Sequence, residues 1–197
     1  PKYFPLPPEY SLEEVEEVFR FNIASLIKHI RKVFENGDAE AQSTLGMLIL
    51  YQLENGDPKY NNEAVQWLIK TAEQGNIAAC TSLSWAFLEG KGVQQDYAEA
   101  LKWSRKAAEQ GDAGAQVNVG YMYDEGQGVQ QDYAEAWKWY HKAAEQGDKI
   151  AQYNIGDMYK EGRGVPQDYA EAAKWFRMAA EQGYEDAQLE LDKMKDK

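Results

Sequence analysis

The phrase Thr71-Ala72-Glu73-Gln74-Gly75 returns at Ala107–Gly111, Ala143–Gly147 and Ala179–Gly183, its glycine moving 36 residues each time. Trp67, Trp103, Trp139 and Trp175 keep the same spacing. A fixed period of this length is incompatible with one closed core. It demands a row of similar units, each burying its apolar face against the next.

Residues 76–111 show what one unit contains. Asn76 follows Gly75 and is placed to cap a helix running to about Glu89, in which Ala79, Leu83, Ala86 and Phe87 share one face. Gly90-Lys91-Gly92-Val93 then turns the chain. Asp96 opens a second helix with Glu99 three positions on, an acidic form of the capping box. Ala100, Trp103, Ala107 and Ala108 give this helix its own buried face, and Gly111 ends it. Each unit is a helical hairpin, so the fold class is all-α, a solenoid of antiparallel hairpins.

The same slots refill in every copy. Ala41, Ala79, Ala115 and Ala151 hold one small position, and Gly46, Ser84, Gly120 and Gly156 hold another that predicts close helix-to-helix approach. The boundaries that follow are repeats at 38–75, 76–111, 112–147 and 148–183. The first repeat carries two extra residues in the connection Glu54–Lys59. Residues 1–10, with Pro1, Pro5, Pro7 and Pro8, read as an extended arm. Residues 11–37 read as N-terminal capping helices with a worn repeat, and 184–197 as a C-terminal capping helix.

The residue types argue against chemistry. Cys80 is the only cysteine, which excludes an intramolecular disulfide and a cysteine metal cluster. His29 and His141 lie on different units without ligand-like neighbours, and the recurring acids Asp96, Asp132 and Asp168 stand at helix starts, where they act as caps. The Gly-x-Gly-Val turns are followed by Gln-Gln-Asp or Pro-Gln-Asp instead of the Lys-Ser/Thr of a phosphate loop. No catalytic residue, metal or cofactor is expected. No apolar run is long enough to insert in a membrane. The net charge of −12 repels phosphate backbones, which disfavours nucleic acid and suits a protein or peptide of basic character. The same acidity also serves solubility and helix N-termini.

With its strings laid out this way, the chain resembles the Sel-one-like repeat family of the tetratricopeptide-repeat superfamily. The matching residues are Gly90-Lys91-Gly92-Val93, Asp96-Tyr97-Ala98-Glu99-Ala100, Trp103 and Ala107–Gly111, repeated at Gly126–Gly147 and Gly162–Gly183. The resemblance covers residues 38–187. It implies a right-handed α/α superhelix whose concave face is lined mainly by first helices. It also implies an adaptor that binds proteins, in some bacterial members an immunity partner of an effector. Many bacterial members are exported, so a periplasmic or exported location is expected ahead of a cytoplasmic one. Cysteine-rich relatives linked to β-lactam binding clasp each hairpin with a disulfide, and this chain lacks those cysteines.

Function belongs where the packing does not dictate the residue. On the first helices three such slots read Ser43, Thr81, Val117 and Tyr153; Met47, Trp85, Tyr121 and Asp157; Leu50, Leu88, Asp124 and Lys160. Within a unit these slots form one stripe, bordered by Asn118 and Asn154. The expected partner-binding surface is therefore Met47, Thr81, Trp85, Leu88, Val117, Asn118, Tyr121, Asp124, Tyr153, Asn154 and Asp157, with Trp85 and Tyr121 as anchors. A second variable set, Leu101, Trp137, Ala173, Ser104, Tyr140 and Phe176, suggests a smaller patch on the second helices around Trp137 and Tyr140. The module is expected to be monomeric. A hydrolase or small-ligand binder using the concave groove is the alternative reading.

Overall fold

The computed structural model describes residues 58–195. The proline-rich arm, the N-terminal capping helices, His29, Ser43, Met47 and Leu50 lie outside the described residues. Eight helices follow one another among those described: α1 (Pro58–Glu73), α2 (Ile77–Glu89), α3 (Tyr97–Ala108), α4 (Ala113–Glu125), α5 (Tyr133–Glu145), α6 (Lys149–Glu161), α7 (Tyr169–Glu181) and α8 (Glu185–Lys195). Each helix packs on its neighbours in sequence, α2 on α3, α4 on α5 and α6 on α7 forming the tight hairpins. The molecule is an all-α solenoid with a 36-residue period.

The helix starts follow from their caps. Asn76 Oδ1 accepts from the Ala79 N–H at 2.8 Å, and Asp112 and Asp148 do the same for α4 and α6. Asp96 Oδ1 accepts from Ala98 and Glu99 N–H at 2.9 and 3.1 Å. The capping box is only half made. The Asp96 N–H donates to the Phe87 carbonyl across the turn, so nothing is left for Glu99 to satisfy. Glu99 instead takes Lys102, and its counterpart Glu135 takes both Lys138 and the Trp139 indole N–H.

The turns tie one hairpin to the next. Gly90 takes the left-handed conformation that closes α2 (φ 67°). The second glycine of the turn has a different role. A Cβ on Gly164 would lie 2.6 Å from the Tyr133 carbonyl oxygen of the preceding hairpin, and Gly128 approaches the Tyr97 carbonyl in the same way. The glutamine before each aspartate cap donates back to the end of the first helix: Gln95 to Leu88, Gln131 to Asp124, Gln167 to Lys160.

The tiny slot of the first helix explains the second helix. A Cβ on Gly120 would sit 2.6 Å from Tyr140 Cδ1, and one on Gly156 2.7 Å from Phe176 Cδ1. In the hairpin of α2 and α3 the same crossing holds two hydroxyls, Ser84 and Ser104, 2.5 Å apart. This corrects the expected second-helix patch. Tyr140 is 1% exposed, and Ser104 and Phe176 are buried with it, because these three fill the crossings of their hairpins; Leu101, one turn before Ser104, is buried as well. Trp137 and Ala173 are half-buried.

Glutamines tie the two helices of a hairpin to each other and to the end of the hairpin before. Gln146 Nε2 donates to Gln116 Oε1 and Gln182 Nε2 to Gln152 Oε1, each at 2.8 Å. Gln116 in turn donates to the Ala108 carbonyl. Cys80 occupies that glutamine slot one hairpin earlier. Its Sγ donates to the Ala72 carbonyl at 3.7 Å, and the same carbonyl receives Lys106 Nζ at 2.6 Å.

Candidate protein-binding face

The first helices α2, α4 and α6 carry the variable stripe, and the structure sorts its members into three kinds. Tyr121 is 47% exposed and Asn118 beside it is exposed. Both stand on α4, where neither is needed for the core. Trp85 and Leu88 on α2 are half-buried and pack against the core that runs from α1 to α5. Thr81 is half-buried, its hydroxyl donating to the Ala78 carbonyl, and Asn154 is half-buried on α6.

The second kind is consumed by packing between hairpins. Val117 is only 9% exposed and joins the core around Tyr140 and Ile155. Tyr153 lies between Phe176 and Tyr184, with ring centroids 5.5 and 5.1 Å away. This slot faces the following second helix, so Val117 is not a presented contact.

The third kind is consumed by ion pairing. Asp124 is 8% exposed. Its carboxylate accepts from Arg163 Nη1 at 2.7 Å, while Nη2 of the same arginine bonds Asp157 at 2.6 Å. Asp157 also pairs with Lys160 at 2.7 Å, Lys160 with Glu190 of α8 at 3.0 Å, and Glu190 with Lys193 at 2.7 Å. Asp124 and Asp157 are thus links in a chain of charges running from α4 through α6 to α8, and Asp124 is withdrawn from any partner. Burial raises the Asp124 carboxyl above the ordinary aspartate range, against the opposing pull of Arg163. Hydrogen bonding from Lys193 lowers the Glu190 carboxyl, burial works against it, and Lys160 adds a second bond. Burial opposes the charge of Lys160, yet its hydrogen bonds to Asp157 and Glu190 outweigh this and its pKa ends raised.

Arg163 and Glu190 were not among the expected site residues. Arg163 occupies the variable position inside the Gly-x-Gly turn, where the other units have Lys91 and Gln127. A turn position filled differently in each of these units carried the only hint.

On the second helices a half-buried aromatic group lies across α5 and α7. Trp137 and His141 stand 4.7 Å apart, and His141 meets Trp175 edge-on at 6.0 Å. Glu145 is 3.6 Å from His141 Nδ1. Among the described residues no three His, Cys, Asp or Glu side chains are grouped to hold a metal ion. No described helix is long and apolar enough to cross a membrane.

Capped helical hairpins stacked at a 36-residue period, with a first-helix stripe freed from that period, define an α-solenoid scaffold of the protein-interaction type. The Sel1 repeat model matches residues 39–76, 77–112, 113–148 and 149–184, and the chain belongs to that family. It is similar to the crystal structure of c5321, described as a protective antigen present in uropathogenic Escherichia coli strains and displaying an SLR fold. The match has 41% identity and a TM-score of 0.73, and covers 81% of this chain and 34% of that one. A Sel1 repeat protein from Oxalobacter formigenes is 40% identical with a TM-score of 0.70, over 78% of this chain and 61% of that one. Helicobacter pylori cysteine rich protein B is 25% identical with a TM-score of 0.53, over 68% of this chain and 96% of its own. The chain therefore spans 34% and 61% of the length of the first two relatives. Comparison with curated proteins finds no match.

Proposed function

We propose that the chain is a non-catalytic protein-binding module that holds its partner on the first-helix stripe, with Trp85 and Tyr121 as anchors and Asn118 and Asn154 as adaptable hydrogen-bonding groups beside them. The observation that carries this reading is Tyr121. A tyrosine 47% exposed, in a slot filled differently in every unit, is not explained by packing. The carboxylates that could have suggested catalysis are committed to caps and to the ion chain.

The partner has basic character overall. Glu89, Glu125 and Glu161 with Asp96, Asp132 and Asp168 are exposed along one row of turns, and Glu73, Glu109, Glu145 and Glu181 along the other. Such acidic edges attract a positive protein at long range and raise its association rate. The concrete role is that of a neutralising partner for a bacterial effector or an assembly adaptor, in the periplasm or outside the cell. An exported location is in keeping with a relative that is described as a protective antigen.

The test is recovery of partners from native cells with wild-type chain and with Tyr121→Ala. Partner recovery lost at unchanged melting temperature supports the reading. Undiminished recovery, or early unfolding of the variant, overturns it.

A further inference from the structure

We infer that the partner presents an arginine to α4, its guanidinium laid on the Tyr121 ring and hydrogen-bonded to the Glu125 carboxylate. This rests on the binding face proposed above and names the contact made there. Asn118, Tyr121 and Glu125 follow one another along one side of α4, a turn apart each time, and all three are exposed. The neighbouring units hold nothing equivalent. In the slot of Tyr121, Trp85 packs on the core and Asp157 is ion-paired.

The Glu125 carboxylate is in surplus where it stands. Glu89, Glu125 and Glu161 each end a first helix, just before the turn glycine. Beyond that glycine the turn carries Lys91 after Glu89 and Arg163 after Glu161, but the neutral Gln127 after Glu125. Arg163 does not make up the difference, because its two Nη atoms are held by Asp124 and Asp157 at 2.7 and 2.6 Å. Lys160 is shared among Asp157, Glu161 and Glu190. Burial raises the Asp124 carboxyl against the pull of Arg163, and the charge of Glu125 adds to that rise. A carboxylate on the last residue of a helix also opposes the helix dipole, whereas a cation brought there is favoured by both. Arginine suits the pair better than lysine. Its planar guanidinium lies flat on an aromatic face and still donates in parallel from its edge to a carboxylate, while an ammonium is a strongly hydrated point charge. The exposed carboxamide of Asn118, on the other side of the ring, is placed to bond the partner's backbone.

The experiment is selection of random dodecapeptides displayed on phage against the immobilised full chain. The affinity of each recovered peptide is then measured on wild type, Tyr121→Ala and Glu125→Gln. The expected result is a family of peptides sharing one arginine, losing about tenfold or more on Tyr121→Ala and about fivefold on Glu125→Gln. Replacing that arginine by lysine in the peptide should weaken binding to the wild type, and this loss and the Glu125→Gln loss should be less than additive. The advantage of wild type over Glu125→Gln should shrink between ~0.05 and ~0.5 M NaCl. Both variants should melt with the wild type, since both side chains are exposed. Tyr121-dependent peptides that lack an arginine, or that bind Glu125→Gln as well as wild type, overturn this inference and leave the binding face in place. Recovery of no Tyr121-dependent peptide overturns the binding face and this inference together.

Discussion

The hairpin of α2 and α3 and the hairpin of α4 and α5 meet one packing problem with two solutions. In the first, Ser84 and Ser104 face each other through a buried hydrogen bond. In the second, Gly120 leaves room for the ring of Tyr140, and Gly156 and Phe176 repeat that solution 36 residues later. The caps and turns are alike in all three. The difference teaches that the period sets where two helices cross but not what fills the crossing. A ring on one helix requires a missing Cβ on the other, whereas two small hydroxyls need only each other. The earlier hairpin differs at its outer joint as well, where Cys80 and Lys106 stand in for the glutamine bridge.

The largest effect should come from emptying the crossing that depends on a ring. Phe176 is fully buried, and Phe176→Ala should cost about 3–5 kcal/mol in unfolding free energy by chemical denaturation. Ser104→Ala removes no comparable volume. It leaves the Ser84 hydroxyl to find the carbonyl one turn back, so its cost should stay near ~1 kcal/mol. Equal losses from the two variants would show that the crossings are not different in kind.

The reciprocal change tests the missing Cβ. Gly156→Ala forces a methyl against Phe176 Cδ1 and Cε1, each 2.7 Å from the built position, and should cost about 1–3 kcal/mol. Transplanting the pair sharpens the comparison further. Ser104→Phe alone should destabilise the hairpin of α2 and α3, and adding Ser84→Gly should recover part of the loss. A coupling of about 1 kcal/mol or more in a double-mutant cycle is expected, and additive effects would show that ring and glycine are independent.

Much of this was legible in the residues. The period laid out the hairpins, Asn76 and Asp96 announced their caps, and the tiny slot at Gly120 announced close approach. The ring filling that slot was legible too, since Ser, Gly, Gly on the first helix change in step with Ser, Tyr, Phe on the second. Reading each helix by itself placed Tyr140 on a surface, because the correlation joins residues on different helices. Asp124 and Arg163 were hidden for a different reason. They lie 39 residues apart across a hairpin boundary, and the corresponding positions one unit earlier are Leu88 and Gln127. A pair that occurs once has no repetition to reveal it. The uncharged part of the stripe, Asn118 and Tyr121, was visible as residues that vary where packing makes no demand.

The smallest expected effect contrasts the ring-filled hairpins with α8, whose outer side is held by ions. Glu190 bonds Lys160 and Lys193, and its carboxyl lies below the ordinary glutamate value of 4.5 in the fold. A group whose pKa is lowered on folding contributes stability that is fully present above its unfolded value. That contribution is lost as pH falls through the folded value, so α8 should loosen below about pH 4.5. Asp124 has the opposite sign. Its raised carboxyl favours the protonated form in the fold, so its contribution is lost as pH rises and cannot account for a loss in acid. With Lys193 largely exposed, the Glu190 effect should be no more than about 1 kcal/mol. Amide hydrogen exchange should show α8 protection falling with acid in the wild type and becoming insensitive to pH in Glu190→Gln, with α2 and α3 unchanged in both. Loss of protection in α8 and α3 together would mean that acid acts on the whole stack, and that the ion chain does not hold the end by itself.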